Sequence, residues 1–227
     1  MAKRPVYIPT SNGPSMVEVL QVDFTWHPGM SKTQKQRSIR SLHEAANKRG
    51  VNKILEISSK SEEELGVRLS AFNLRIKRQD GSRPSVESLF QGSKVFSEGG
   101  PFTDMYLMDS RDAKKDERLK LCGKLVAFRY DSRDWPLFPR TAFYDWLYIS
   151  ALQQNSNLSM QLMEYDGFTD IEFNPEKSLN CQAASAALYK SLVNRRLIEA
   201  ALSSPEEFIR VHAELKINSE HTQDRLF

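Results

Sequence analysis

Only two of the 227 residues are cysteine, Cys122 and Cys181. That is too few for a disulfide framework and fits a reducing compartment. No apolar run approaches the ~20 residues a membrane span requires, and Met1–Pro5 leads into no apolar core of a secretory signal. The expectation is a cytoplasmic protein with no membrane contact. A dominant charge is also missing. The sequence has 32 Lys and Arg against 29 Asp and Glu, a net charge of +3, which permits an anionic partner without demanding one. The histidines His27, His43, His212 and His221 share no ligand spacing with the cysteines, so metal chemistry has no anchor. His43-Glu44 lacks the second histidine of a zinc-protease helix. There is no phosphate-binding loop, no G-x-G-x-x-G and no G-x-S-x-G elbow, which removes the usual kinase, dinucleotide and esterase signals.

What is present is a globular composition, 40% hydrophobic and 27% charged, which excludes disorder, collagen and coiled coil. No linker, repeat or low-complexity stretch divides the chain, so residues 5–216 read as one domain and 217–227 as a flexible tail. Val17–Phe24 and Ile54–Ser58 read as strands. Lys32–Arg49 reads as a helix capped by Ser31 and stopped at Gly50, with Ile39, Leu42 and Ala46 as its buried stripe. Phe72–Lys77 alternates apolar and polar as a strand would, before a turn at Asp80-Gly81. Helices are expected over about Val86–Phe96, Ser110–Cys122, Ala142–Gln153, Ser156–Tyr165 and Leu179–Arg195, and a strand over Lys124–Tyr130. Ser204-Pro205-Glu206-Glu207 is a strong helix start. The class is α+β, a helix-rich single domain with a small sheet.

The segment Ser85–Phe96 concentrates the chemistry. Glu87, Gln91 and Lys94 recur at i, i+4 and i+7, which lines them along one helical stripe. Val86, Leu89, Ser93 and Phe96 take another face. Spacing alone leaves two readings open: a solvated row of ordinary charges, or a carboxylate, an amide and an ammonium arranged for chemistry.

Ser70-Ala71-Phe72-Asn73, the turn at Gly81, and Ser85-x-Glu87-x-x-Phe90-Gln91-x-x-Lys94-x-Phe96 resemble the NADAR superfamily, the YbiA-like proteins. That pattern runs S-N-F, a glycine turn, then a helix reading S-E-H-Y-F-Q-A-Q-K-F. Its second block, an Asp, an aromatic three residues on and an Asn before the last helix, is matched by Asp170-Ile171-Glu172-Phe173-Asn174 and by Asn180. This chain differs in placing Asn73 after Phe72, inserting Val86, and carrying Ser88 for His and Phe173 for Trp. The whole chain is similar to a longer branch encoded beside DNA-modifying ADP-ribosyltransferase toxins. There Gln34-Lys35-Gln36-Arg37-Ser38-Ile39-Arg40 and the run Trp135–Trp146 recur in similar form.

The resemblance implies hydrolysis of the N-glycosidic bond between ADP-ribose and guanine in nucleic acid, reversing ADP-ribosylation as an antitoxin. It implies no cofactor beyond ADP-ribose as substrate and product ligand. It also implies two partners, ADP-ribosylated nucleic acid and functional pairing with an ADP-ribosyltransferase toxin. Breaking a ribosyl–nitrogen bond builds positive charge on the ribose, which a carboxylate stabilises. Glu87 is the candidate for that role and Asp170 the second carboxylate. Lys94 would hold a phosphate or keep Glu87 ionised, and Lys35 would trap the opened sugar as a Schiff base. Ligand contacts fall to Ser70, Phe72, Asn73, Phe90, Gln91, Trp146, Phe173, Asn174 and Asn180, the aromatics by stacking. Gly99-Gly100-Pro101 is either a loop that approaches the pyrophosphate or a plain turn. Two other functions compete: an N-glycosidase on small riboflavin-pathway intermediates, and a non-enzymatic module that binds nucleic acid or toxin. The basic Lys32, Lys35, Arg37 and Arg40 favour a polyanionic substrate over a small one.

Overall fold

A computed structural model describes residues 1–176 and 178–214; the expected tail, 217–227, lies outside the described residues. Strands β1 (Ala2–Pro9) and β2 (Val17–Phe24) form an antiparallel hairpin with Tyr7 opposite Val19, and helix α1 (Lys32–Asn47) packs on it. The α1 cap is as read from sequence: the Ser31 hydroxyl accepts from the Gln34 N–H at 3.2 Å. Ile39, Leu42 and Ala46 are buried against Val6, Val22 and Phe24. Next come β3 (Ile54–Glu56), α2 (Glu64–Arg68), α3 (Val86–Gly92), β4 (Lys94–Phe96), a 3-10 turn at Thr103–Leu107, α4 (Ser110–Lys115), α5 (Arg118–Leu121), β5 (Leu125–Tyr130) and β6 (Arg133–Trp135). The chain ends in α6 (Ala142–Gln154), α7 (Ser156–Leu162), β7 (Gly167–Thr169), α8 (Gln182–Asn194), α9 (Ile198–Leu202) and α10 (Pro205–Glu214). Among the described residues no helix is long and apolar enough to cross a membrane.

The strands form two small sheets. The first runs β2-β1-β7-β3, with β3 and β7 parallel, and the second is the antiparallel meander β4-β5-β6. Helices α6 and α8 are packed together between them, and Leu55, Phe143, Leu147, Tyr148, Phe168 and Ala186 share one core. Four strands escaped the sequence reading, β4 among them because a helix was expected there. β1 is masked by Pro5 and Pro9, and the sheet tolerates them because β7 reaches β1 only at Tyr7↔Phe168. β6 has three residues after a two-residue turn in which Asp131 and Ser132 both have positive φ, the geometry of a tight hairpin. β7 is also only three residues long.

Other expectations are corrected. Phe72–Lys77 is not a strand but a turn and an extended piece with a single bridge, Arg75↔Ser85. Leu74 and Ile76 are buried as the alternation implied. Their backbone, however, serves the start of α3: Val86 N–H donates to Leu74 O and Glu87 N–H to Ala71 O, both at 3.0 Å. A longer ladder is blocked by Pro84, which has no N–H to give. The helix expected over Val86–Phe96 ends at Gly92, where a Cβ would lie 2.7 Å from the Phe102 carbonyl, and the chain turns into β4. The helix expected over Ser110–Cys122 is two helices, broken at Asp116, whose carboxylate accepts the Arg118 N–H at 3.0 Å and restarts the second. Helix α8 begins at Gln182, three residues later than read from sequence.

Candidate active site

The start of α3 is held by hydroxyls. Ser85 accepts the Ser88 N–H at 3.0 Å, and the Ser110 hydroxyl lies 2.7 Å from Ser85 Oγ and 2.8 Å from Phe72 O. This clasp joins the Phe72 turn, α3 and α4. All seven α3 residues are buried, so Glu87, at 4% exposure, is no solvated surface charge. A buried carboxylate needs partners. Gln91 Nε2 donates to Glu87 Oε1 at 2.8 Å, and Lys94 Nζ donates to Gln91 Oε1 at 2.7 Å. Lys94 therefore joins the row from β4, reaching back over the end of α3. Lys114, on α4, places its ammonium 3.4 Å from Glu87 Oε1 and 5.0 Å over the Phe72 ring. Lys94 stands 5.0 Å over Phe90. Burial pulls the Lys94 amine down to about 8, with the nearby Glu87 charge opposing the fall.

This row forms one wall of a cavity of about 560 Å³, within the size range of small-molecule sites. The opposite wall is the segment between β7 and α8. Asp170, Glu172, Phe173, Asn174 and Asn180 line it, with Gln182 at the head of α8. Asp170 accepts the N–H groups of Glu172 (3.0 Å) and Phe173 (3.2 Å), which fixes its carboxyl in the loop. Its pKa is pushed up, first by burial and then by the Glu56 carboxyl behind it. The Asn180 Oδ1 atom is buried and meets no donor among the described residues, so it is an acceptor that a ligand hydroxyl would satisfy. Among the exposed lining residues are two large apolar side chains, Leu179 at 46% and Phe138 at 66%, beside the charged Lys114 and Glu172, with the Arg140 guanidinium 5.6 Å from the Phe138 ring.

The structure thus gathers Glu87, Asp170, Phe72, Phe90, Gln91, Lys94, Phe173, Asn174 and Asn180 around one cavity. It places the others elsewhere. Lys35 stands behind the wall, 3.1 Å from Glu172 Oε1 and 4.9 Å over the Trp26 ring. Ser70 is buried, and its carbonyl accepts the Asn73 and Leu74 N–H groups. Asn73 is exposed and donates to Val67 O at 2.8 Å. Trp146 packs on Trp135 at 4.9 Å. Gly99-Gly100-Pro101 is the turn that leaves β4, away from the cavity lining. Lys114, Tyr144, Arg140, Gln182 and Glu172 were not singled out from sequence. Lys114 sits in a lysine-rich helix that gives no signal of its own, and only the fold brings it to Glu87. Among the described residues no three His, Cys, Asp or Glu side chains gather to hold a metal.

Residues 2–222 match the family model described as the DarT1-associated NADAR antitoxin, a description that links the family to the DarT1 toxin. No curated protein matches the chain.

Proposed function

We propose that this chain, which belongs to the family of DarT1-associated NADAR antitoxins, hydrolyses the N-glycosidic bond between ADP-ribose and guanine in nucleic acid. The observation that carries the reading is the pairing of a buried carboxylate, braced by an amide and two ammonium groups, with a second carboxyl across one cavity. As the C1′–N bond lengthens, the ribose takes on oxocarbenium character and the purine gains electrons. The Glu87 carboxylate, fixed by Gln91, stabilises the positive ring. Asp170, kept protonated by burial and by Glu56, donates a proton to the departing base. Water completes the reaction at C1′, giving a hydroxyl to the sugar and a proton back to the carboxyls. Lys94 and Lys114 balance the Glu87 charge and meet the pyrophosphate. Asn180 Oδ1 accepts from a ribose hydroxyl, and Phe72, Phe90 and Phe173 supply apolar walls for the rings. Lys35 reaches a C1 aldehyde only by leaving its pair with Glu172.

The test is a short oligonucleotide ADP-ribosylated on guanine, incubated with the wild type and with Glu87→Gln, with EDTA present, following free ADP-ribose by mass spectrometry. Release by the wild type and its loss in Glu87→Gln support the proposal. No release from DNA or RNA moves the reading to the small-nucleotide glycosidase. Tight binding without turnover in both proteins moves it to a binding module.

A further inference from the structure

Behind the cavity lies a buried polar chain, of which the proposed reaction calls only on the Glu56 charge. Glu56 ends β3, is 2% exposed, and is the register partner of Thr169 at the end of the parallel strand β7. That register points the Thr169 hydroxyl at Glu56 Oε2, 2.7 Å away, while the Ile171 N–H donates to Glu56 Oε1 at 2.9 Å. Asp170 is the residue between these two donors. Its own carboxyl accepts from the next two N–H groups, those of Glu172 and Phe173. One short stretch of backbone therefore clamps two carboxyls. On the far side, His43 from α1 puts Nε2 2.8 Å from Thr169 Oγ1.

A hydroxyl has one proton to give. When Glu56 is ionised, Thr169 donates to it and accepts from His43 Nε2–H. When Glu56 is protonated, it donates to Thr169, and Thr169 donates to a His43 carrying its proton on Nδ1. Both arrangements satisfy Glu56 Oε2, Thr169 Oγ1 and His43 Nε2 and keep the imidazole neutral. They differ in whether the proton lies on Glu56 or is free for its neighbour.

We infer that Glu56 is a positioning residue for Asp170: the two carboxyls hold one proton between them, and the Thr169–His43 chain reverses its hydrogen bonds as that proton moves. The surroundings of the pair agree. Glu172 adds negative charge, and Tyr7, Tyr144, Tyr148 and Cys181 are neutral neighbours whose own pKa values are pushed up. Of the cations, Lys35 is held by Glu172, and Lys94 and Lys114 serve the Glu87 wall. Burial raises both acids, with the Glu56 charge adding to the rise at Asp170 and the Glu172 charge to that at Glu56, and burial holds His43 down at about 4 against the pull of Glu62.

The consequence for the reaction rests on the proposed hydrolysis; the shared proton does not. In that reaction Asp170 gives its proton to the leaving nitrogen, and the attacking water returns one to the pair. Two experiments separate the claims. Asp170 is followed through pH 4–9 by 13C-carboxyl NMR, assigned with Asp170→Asn, in the wild type, in Glu56→Gln and in Thr169→Val. Glu56→Gln keeps its oxygen for the Ile171 N–H and turns its amide NH2 to Thr169 Oγ1, which then donates to His43, as in the arrangement with protonated Glu56. It removes the charge, so the Asp170 midpoint falls by one pH unit or more. Thr169→Val strips a donor from ionised Glu56, draws the proton onto it, and lowers the Asp170 midpoint by a smaller step, which keeps the test alive if Glu56→Gln does not fold. A midpoint in folded variants within 0.3 of the wild type, or a wild-type Asp170 already ionised at pH 5, overturns the inference. The second experiment is the pH profile of ADP-ribose release. Its alkaline limb moves to lower pH in Glu56→Gln, and an unmoved limb overturns the catalytic part. NMR coupling in a protein that releases nothing sinks the hydrolase reading and leaves the shared proton standing.

Discussion

Lys94 is expected to weaken the fold while serving the site, and Lys94→Met separates the two. The amine sits between Phe90 and Gln91 at the cavity wall, and its pKa is lowered from 10.5 to about 8. That change makes the charged form about 3 kcal/mol less favourable in the folded protein than in water, an upper figure because the cavity mouth admits solvent. Methionine removes this penalty and keeps the contact with Phe90. It forfeits the hydrogen bond to Gln91 Oε1, worth about 1–2 kcal/mol. The expected net is a gain of roughly 1–2 kcal/mol at pH 7, or a Tm higher by roughly 3–6 °C for a chain of this size. The sign with pH is fixed by which state holds the proton. Below about 8 both states are charged and the whole penalty applies. Between 8 and 10.5 only the unfolded chain still binds the proton, so wild-type stability rises with pH across that window and levels off above it. Guanidinium denaturation at pH 7 and pH 10 reads both effects: the Lys94→Met gain shrinks at the higher pH. Titration calorimetry with ADP-ribose reads the cost, a loss of roughly 10- to 100-fold in affinity for one missing charge-assisted contact. A variant less stable than the wild type by 1 kcal/mol or more, with the same pH dependence, would refute the reasoning.

Glu87→Gln keeps an oxygen for Gln91, so the fold and KM should hold within about threefold while kcat falls roughly 10²-fold or more; steady-state release of ADP-ribose checks this. Gly100→Ala places a Cβ against the Lys94 carbonyl at a residue with φ +88. It should cost about 2 kcal/mol and weaken ADP-ribose binding by displacing β4, as denaturation and calorimetry would read. His212 on α10 lies 3.0 Å from Asp145 Oδ2, a buried carboxylate otherwise met by the Ser185 hydroxyl at 2.6 Å. His212→Ala should destabilise by about 3 kcal/mol, and adding Asp145→Asn should recover part of it; equal losses in single and double variants would count against the pair.

The sequence showed its long elements well because their signals are local. The Ser31 cap, the Ile39-Leu42-Ala46 stripe and the Ser204-Pro205-Glu206-Glu207 start each depend on residues within a turn or two. It hid those that depend on distant partners. β1 looks like a proline-bearing basic tail until β2 pairs with all of it, and β7 becomes a strand only between β1 and β3. Phe72–Lys77 erred in the opposite direction. Its alternation is real, with Leu74 and Ile76 buried, but alternation needs a partner strand and Pro84 offers none. For the site, the spacing of Glu87, Gln91 and Lys94 was legible although the helix behind it stops at Gly92, because a lysine side chain spans the turn from β4. The brace from Lys114 and the carboxyl behind Asp170 were not legible, since residues 27 and 114 positions away in the chain meet them only through tertiary packing.

The two walls of the cavity are built differently, and that difference divides the work between them. The α3 wall is a buried helix with its N-terminus clasped by Ser85, Ser110 and the Phe72 turn. Glu87 has little freedom there, as a group needs that must sit beside a developing charge without reorganising. The described residues of the other wall, 170–176 and 178–180, are irregular backbone, tied down at Asp170 and Ile171 by N–H donors and by Glu56, while Ser178 and Leu179 remain exposed. Substitutions along Ser178–Asn180 should therefore act on KM, and those on α3 on kcat. A Leu179→Ala variant with kcat reduced tenfold at unchanged KM would show that the two walls do not divide the reaction in this way.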